Sequence, residues 1–332
     1  MLRVGFLGAA HLHADAYVQN LRTAGAQVVG VYDWVPIRAL WWGQKFGVAP
    51  FDELEALLTD CDAVVVCSET AFHADLVEQA ASAGCAVLCE KPLGTNYADS
   101  AQIVSACERA GVVLMTAFPM RFHPGFQQLH TMVTGGQLGR LLACIGTNQS
   151  VMPMQERAWF ANSRLSGGGA IMDHVVHLAD LYGWLLQAEP QQVYASANQI
   201  VHAGVVDVET SGLVLLDYAE GVYASIDCSW NRPLDYPSWG GIGLSVVGER
   251  GSIEVDAMSQ RLTRFGGSGP FGWLDWGTDV NQLMVEEFLA AAREGRQPLV
   301  TGQDGLRATA IALAARESAA TGNSVAMSVH PS

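Results

Sequence analysis

The first third of the chain alternates short apolar runs with longer amphipathic stretches. The runs Arg3 to Leu7, Gln27 to Tyr32, Ala63 to Cys67 and Ala86 to Cys89 are rich in valine and other apolar residues, which is typical of strands buried in a parallel sheet. The stretches between them are long enough for helices that cross from one strand to the next. This pattern predicts an α/β domain over residues 1–122, a doubly wound parallel sheet of the Rossmann type.

The pattern changes near residue 122, where strand-like segments begin to follow one another. This change predicts a second domain of the α+β class over residues 123–332, with a large, open and mostly antiparallel sheet. Helices are predicted at about 170–186, 279–294 and 303–321. The predicted strands are about 139–149, 192–200, 211–218, 221–230, 243–247 and 252–255.

Composition and charge exclude several classes of protein. The 332-residue chain is half hydrophobic and 15% charged, which supports packed cores and argues against disorder. Its formal net charge of −15 would repel a phosphate backbone, so nucleic-acid binding is not expected. No apolar run approaches the roughly 18 residues of a membrane helix. The seven cysteines form no C-x-x-C motif, which predicts reduced, buried thiols in a cytoplasmic protein.

The first strand runs directly into a turn that resembles a dinucleotide-binding fingerprint. Gly8 occupies the first position of G-x-G-x-x-G, whereas Ala10 and His13 replace the second and third glycines. In such a turn the backbone approaches a pyrophosphate at the start of the following helix. The sequence therefore predicts a cofactor site at Gly8, Ala9, Ala10, His11 and Leu12.

An acidic residue follows the second predicted strand. Asp33 lies 25 residues after Gly8, where a carboxylate can bind the adenosine ribose and repel a 2′-phosphate. Asp33 thus favours NAD over NADP, although Arg38 keeps NADP possible. The alternative is an ordinary turn or helix-capping aspartate.

Two motifs carry candidate chemistry. Lys91, one of only two lysines in the chain, follows the predicted strand that ends at Cys89. A run of glycines at 167–169 leads into a predicted helix that bears Asp173 and His177 at i and i+4. This spacing places both side chains on one helix face.

Glu90-Lys91-Pro92 and the later glycine-Asp173-His177 motif together resemble the Gfo/Idh/MocA family of nicotinamide-dependent oxidoreductases. The resemblance covers nearly the whole chain. It implies a Rossmann domain, a second open-sheet domain and assembly into a homodimer or homotetramer through that sheet. Further segments that resemble the family are Ala86 to Pro92, Met120 to Pro124, Val246 to Val255 and Thr301 to Val325.

The resemblance also implies an activity. Family members commonly transfer hydride between NAD(P) and the hydroxyl or ketone carbon of a sugar, sugar acid or cyclitol. By this resemblance, Lys91 binds the reacting oxygen, His177 is the acid/base and Asp173 orients the substrate. Histidine titrates in the range such proton transfer needs, and a nearby lysine would stabilise the developing alkoxide.

Other residues are weaker candidates. Ser68, His73 and Glu90 are predicted to contact the cofactor, and Arg121, Trp159, Arg164 and His174 the substrate. Glu69 is an unusual acidic residue in the Ser68–His73 loop, where the family often has a proline. The dense histidines have the residue types of a metal site, but no metal is expected. Trp230, Asn231, Tyr236 and Trp239 are predicted in a loop that contacts a sugar or another subunit.

Two other functions remain open. A lyase or glycosidase of the same fold would keep NAD bound and use transient oxidation, without net NADH. A non-catalytic sugar- or nucleotide-sensing protein would bind ligand without turnover. Ala10 and His13 favour this second alternative, whereas the set of Lys91, Asp173 and His177 argues against it.

Overall fold

The computed structural model describes residues 1–155, 157–265, 272–275 and 277–327. The first of its two large sheets has six parallel strands in the order β3-β2-β1-β4-β5-β6. The order reverses between β1 and β4, and the crevice at such a point is where doubly wound sheets bind ligands. The strands are β1 (Arg3–Leu7), β2 (Gln27–Tyr32), β3 (Pro50–Phe51), β4 (Ala63–Val66), β5 (Ala86–Cys89) and β6 (Leu114–Thr116).

Helices connect these strands and cover the sheet. The buried strand residues pack in two apolar clusters, one on each side of the sheet. The prediction of a Rossmann-type sheet is confirmed. The connecting helices are α1 (Ala14–Thr23), α2 (Pro36–Phe46), α3 (Leu54–Thr59), α4 (His73–Ser82) and α5 (Tyr97–Ala110).

The second sheet is mixed. Its order is β12-β11-β7-β10-β9-β8-β15, with β7 and β10 parallel and the other neighbours antiparallel. The prediction of a mostly antiparallel sheet is therefore confirmed. The strands are β7 (Leu141–Val151), β8 (Gln192–Asn198), β9 (Ser211–Asp217), β10 (Tyr223–Arg232), β11 (Gly240–Gly248), β12 (Gly251–Asp256) and β15 (Val325–Ala326), and β13 (Arg261–Arg264) pairs separately with β14 (Gly272–Asp275).

Helices cover one face of this sheet and leave the other open. Along β9, alternate residues Val214 and Leu216 are buried, whereas Leu213 and Leu215 are exposed. The helices of this half are α6 (Pro124–Thr134), α7 (Ser163–Ser166), α8 (Val176–Leu186), α9 (Val280–Glu294) and α10 (Gly302–Thr321), and a π-helical turn, Ile171–Val175, leads into α8.

The helix α10 joins the two sheets. It begins with a capping box in which Thr301 and Asp304 satisfy each other's backbone N–H groups. On the first sheet, Thr309 accepts a hydrogen bond from the Leu93 backbone N–H at 3.2 Å. On the second, Ser318 accepts one from the Ala195 N–H at 2.9 Å. The two sheets therefore share one covering helix. The predicted boundary between residues 122 and 123 stays a prediction.

Two further findings concern the sequence expectations. All seven cysteines are buried free thiols. Trp230 and Asn231 both belong to β10. Trp230 agrees with the predicted strand of about 221–230, whereas the prediction of a loop at these two residues was wrong, because the strand pairs with β7 up to Arg232. Among the described residues, none of the helices has the length and apolar character needed to cross a membrane.

Candidate active site

The turn after β1 packs tightly against the end of β4. Gly8 has a φ of +86°, and a Cβ there would lie 2.5 Å from the Ser68 Cα, so only glycine fits. The His11 backbone N–H then donates to the Cys67 carbonyl at 2.9 Å. These contacts place the turn in the crevice where the strand order reverses.

His11 and His13 turn back towards the end of β5. The His11 Nδ1 accepts a hydrogen bond from the His13 backbone N–H at 3.3 Å, which leaves the ring proton on Nε2. Burial lowers the pKa of His11 well below its usual value, so the ring is neutral. Its Nε2 is buried and has no partner among the described residues, which leaves a donor for a ligand.

Glu90 is buried beneath these histidines. Its Oε1 lies 2.8 Å from His13 Nδ1 and accepts a hydrogen bond from the Tyr17 hydroxyl at 2.7 Å. Burial alone would raise the pKa of this carboxyl, but His11, His13 and Lys91 outweigh burial and lower it. Glu90 is therefore a structural anion that holds the dinucleotide turn to β5.

The predicted cofactor residues at β2 and β4 lie close together. Arg38 forms ion pairs with Asp33 (2.7 Å) and with Glu69 (2.9 Å), and Asp33 also accepts from the Ala9 N–H at 2.8 Å. His73 lies near two backbone carbonyls, that of Leu93 at 3.1 Å and that of Ser68 at 3.3 Å. Ser68 and His73 thus help to fix the loop that supports the turn.

Lys91 and Asp173 meet across the two halves of the chain. The Lys91 Nζ lies 2.7 Å from Asp173 Oδ1 and 3.3 Å from the Asp173 carbonyl oxygen. Lys91 follows β5, whereas Asp173 stands in the π-helical turn before α8. Both side chains are more than nine-tenths buried, so water screens this ion pair weakly.

The second oxygen of Asp173 is also occupied. It accepts a hydrogen bond from the Trp230 indole at 3.0 Å, and His174 Nε2 lies 3.2 Å away. The other His174 nitrogen lies 2.9 Å from the Asn148 carbonyl oxygen. Burial alone would raise the pKa of Asp173, but Lys91 and His174 hold it well below its usual value. Sequence reasoning missed this role of Trp230.

His177 lies one turn further along and is less constrained. Its ring packs edge-on against Phe118 at 5.9 Å, and its Nδ1 is buried without a hydrogen-bond partner among the described residues. Burial, followed by the charge of Lys91, lowers the pKa of His177 well below its usual value. A neutral imidazole that faces a ligand site can accept a proton.

Some of these groups line a cavity of about 360 Å³, a size suited to a small ligand. Apolar walls come from Phe160, Trp239 and Ile242, among others. The first turn of α9 adds a polar group to the wall through Asn281. The cavity brings together these predicted residues: His11, Leu12, Lys91, Asp173, His174 and His177.

Three predicted substrate residues lie elsewhere. The Trp159 indole donates to the Ala10 carbonyl at 3.1 Å, so this side chain covers the dinucleotide turn. Arg164 is exposed on α7 and is not among the described residues that line the cavity. Arg121 is buried in ion pairs with Asp180 (2.6 Å) and Asp304 (3.1 Å), so it joins elements rather than facing this cavity.

The histidines also bear on metal binding. His11, His13 and Glu90 place potential ligand atoms within 4.8 Å of one another. However, the 2.8 Å between His13 and Glu90 is a hydrogen-bond distance, shorter than the roughly 3.3 Å between ligands that Zn–N and Zn–O bonds of about 2 Å imply. The absence of a metal stays a prediction.

The residues at the turn fit a dinucleotide. Gly8 permits the close backbone turn, His11 Nε2 is a buried donor without a partner in the part of the chain that the structure describes, and Asp33 follows β2 at the edge of the sheet where a ribose binds in this fold. The chemistry that NAD supplies when bound is hydride acceptance at its nicotinamide ring. Lys91 and His177 lie on the cavity wall beside this turn.

Known proteins that resemble this chain also contain a dinucleotide-binding domain, and the resemblance covers most of the chain. Residues 2–118 match the profile described as "Oxidoreductase family, NAD-binding Rossmann fold", and residues 126–254 match "GFO/IDH/MocA C-terminal domain". The inositol 2-dehydrogenase of Rhizobium meliloti is 30% identical, and the alignment covers 96% of this chain and 97% of that protein.

Two other similar proteins extend the comparison. The 1,5-anhydro-D-fructose reductase of Ensifer adhaerens is 27% identical, with 97% of each chain covered. The crystal structure of GenD2 from gentamicin A biosynthesis, in complex with NAD, superposes with a TM-score of 0.88. That chain is 25% identical, and the match covers 99% of this chain and 97% of that one. The chain therefore belongs to the GFO/IDH/MocA family of NAD-binding oxidoreductases.

Proposed function

We propose that this oxidoreductase transfers hydride between NAD and the hydroxyl or ketone carbon of a small polyhydroxylated molecule, a cyclitol or a sugar. The observation that carries the proposal is the cavity of about 360 Å³, which places Lys91, Asp173 and His177 beside the dinucleotide turn. Relatives named inositol 2-dehydrogenase and 1,5-anhydro-D-fructose reductase support this substrate class.

Lys91 binds the reacting oxygen in this proposal. An ammonium group has three N–H donors, and Asp173 engages Lys91 Nζ through two oxygens. One donor is left for the substrate, and its positive charge stabilises negative charge that develops on the oxygen. Asp173 then acts through Lys91 as a positioning residue, because its own oxygens are already occupied.

His177 exchanges the hydroxyl proton. Oxidation of an alcohol requires a base, and the lowered pKa of His177 keeps the ring neutral at pH 7. In the reverse direction, the protonated ring returns the proton to the carbonyl oxygen. The buried His11 Nε2 donates a further hydrogen bond to the bound ligand at the cavity wall.

The open face of the second sheet supports a homo-oligomer. Ile145, Leu215 and Tyr194 are exposed, and all three lie in one cross-strand row with Ser225. An apolar row of this kind is a typical protein interface. We propose that a second copy of the chain covers it.

The test follows NADH absorbance with cyclitols, sugars and anhydrosugars as substrates and with purified wild type, Lys91→Met and Lys45→Met. Lys45 is the matched control because it is the other lysine and lies exposed on α2. We expect turnover in the wild type and in Lys45→Met, and its loss in a folded Lys91→Met. Equal turnover in all three proteins would refute the role of Lys91. Substrate conversion without net NADH would favour the lyase or glycosidase.

A further inference from the structure

Arg38 lies between two buried carboxylates at the adenosine end of the dinucleotide site. Its Nε and Nη2 donate to Asp33 at 2.7 and 2.8 Å. Its Nη1 and Nη2 donate to Glu69 at 2.9 and 3.1 Å. The Asp33 side chain is fully buried and that of Glu69 is 3% exposed, while Arg38 is 26% exposed. The guanidinium is therefore held on two sides.

The hydrogen bonds use nearly all the donors of Arg38. A guanidinium has five N–H groups, and the two carboxylates accept from four of them. Asp33 is also saturated, since it accepts from the Ala9 and Val35 backbone N–H groups as well. A phosphate at this position could gain Arg38 only by displacing a carboxylate.

The charge of the cluster opposes such a phosphate. Asp33 and Glu69 contribute two negative charges and Arg38 one positive charge, so the cluster is net negative. The 2′-phosphate that distinguishes NADP from NAD adds a charge of about −1.5 to −2 at pH 7. Like charges brought together at a binding site cost several kcal/mol.

Glu69 is held in place by its own loop as well as by Arg38. Its Oε2 accepts a hydrogen bond from the Trp34 indole at 2.9 Å, and the Trp34 ring packs 5.1 Å from Phe72. The Phe72 backbone N–H donates to the Glu69 carbonyl at 3.0 Å. The carboxylate therefore stays beside Arg38 independently of any ligand.

We propose that Glu69 is a specificity-determining residue that excludes NADP by holding Arg38 against Asp33. Without the Glu69 charge, Arg38 would regain donors at a partly exposed position, and an arginine so placed accommodates a 2′-phosphate. The inference rests on the dinucleotide site and does not depend on the substrate, so failure of the proposed sugar reaction leaves its test intact.

Calorimetric titration with 5′-ADP and 2′,5′-ADP tests the proposal without turnover. We expect the wild type to bind 5′-ADP about 100-fold more tightly than 2′,5′-ADP. Glu69→Gln should bind 2′,5′-ADP about tenfold more tightly than the wild type does, with little change for 5′-ADP. The control Glu55→Gln removes the same charge from an exposed position on α3 and should behave as the wild type.

Several outcomes would overturn the proposal. One is equal binding of the two ligands by the wild type, an arm that needs no variant to fold. Another is a folded Glu69→Gln whose affinity for 2′,5′-ADP does not rise, or an equal rise in that affinity in Glu55→Gln. The double variant Glu69→Gln/Arg38→Met should lose the gain, and its retention would show that Arg38 is not the phosphate ligand. No binding of 5′-ADP by the wild type would refute the dinucleotide site itself.

Discussion

His13 Nδ1 lies 2.8 Å from the buried Glu90 Oε1, and this contact gives a physical reason for a histidine where the dinucleotide fingerprint has its third glycine. A buried carboxylate needs hydrogen-bond donors. His13 and the Tyr17 hydroxyl supply two of them. His13 therefore departs from the fingerprint because it binds Glu90, the residue that precedes Lys91.

Restoring the fingerprint glycine should weaken the fold. His13→Gly leaves Glu90 with one donor fewer, so the free energy of unfolding should fall by about 1–3 kcal/mol. Urea denaturation at pH 7 measures this change. His13→Gln keeps a side-chain donor and should recover part of the loss. A His13→Gly protein as stable as the wild type would contradict the proposed role.

Removing the imidazole of His177 should abolish proton transfer and spare the cofactor. We expect His177→Gln to lower kcat by about 100- to 10,000-fold. Calorimetry with 5′-ADP should give an affinity within about twofold of the wild type, because His177 stands on α8 and 5′-ADP lacks the nicotinamide ring at which hydride is transferred. Unchanged kcat would exclude His177 as the base.

The pH profile should report the lowered pKa of His177. Oxidation requires the neutral ring, and burial together with the charge of Lys91 lowers its pKa well below 6.5. The acid limb of kcat/KM for oxidation should therefore lie below pH 6.5, with a plateau at neutral pH. Steady-state rates from pH 4.5 to 8 test this. An acid limb above pH 6.5 that follows His177 would contradict it.

Asp173→Asn should misplace Lys91 while preserving the shape of the site. The amide loses the charge that holds Lys91 Nζ at 2.7 Å, and a displacement of about 1 Å can cost about 100-fold in rate. We expect the loss mainly in kcat, since the cavity walls are unchanged. The matched control is Asp52→Asn, which makes the same substitution at an exposed position. A loss confined to KM would point to direct substrate binding by Asp173.

The buried Asp180 should make stability depend on pH. Burial, opposed by Arg121, raises the pKa of Asp180 to about 6. The folded state then holds a proton that the unfolded state has released, so this contribution falls as pH rises from about 4 to 6. Relative to Asp180→Asn, the wild type should lose about 2–4 kcal/mol across this range. Urea unfolding at several pH values measures the difference, and a parallel pH dependence of the two proteins would contradict it.

A charge on the open sheet face should separate the subunits. Leu215→Arg places a cation in the exposed row with Ile145 and Tyr194, so the oligomer should become a monomer. Light scattering after size-exclusion chromatography gives the mass. Leu40→Arg introduces the same change on the exposed surface of α2 and should keep the wild-type mass. A monomeric wild type would refute the proposed assembly.

The sequence predicted the features that local pattern controls. Apolar runs gave the two sheets, and the spacing of Asp173 and His177 placed both on the cavity wall. Asp173 and His177 lie on the same cavity wall even though residues 171–175 form a π-helical turn, which is wider than an α-helical one. Gly8 was also informative, because a tight turn against a buried strand leaves room for no other residue.

The sequence could not predict contacts between distant segments. Arg121 binds Asp180, 59 residues away, and Trp230 binds Asp173 across 57 residues. From sequence alone, an arginine that binds a substrate cannot be distinguished from one that binds another side chain. The engagement of Arg38 by Glu69 was hidden for the same reason, since it depends on the order in which β2, β1 and β4 lie in the sheet.

The position of α10 also affects the order in which the chain can fold during its synthesis. The Thr116 hydroxyl at the end of β6 donates a hydrogen bond to the Thr301 carbonyl, 185 residues later. The backbone N–H of Leu93, two residues from Lys91, donates to the Thr309 hydroxyl, which is synthesised later still. At about 5–20 residues per second, a ribosome needs roughly 10–40 s to add that intervening length. A nascent first sheet is therefore exposed along this edge until translation has nearly passed the second sheet. The segment that carries Lys91 therefore gains the hydrogen bond to Thr309 only after strands β7 to β12 of the second sheet have been made.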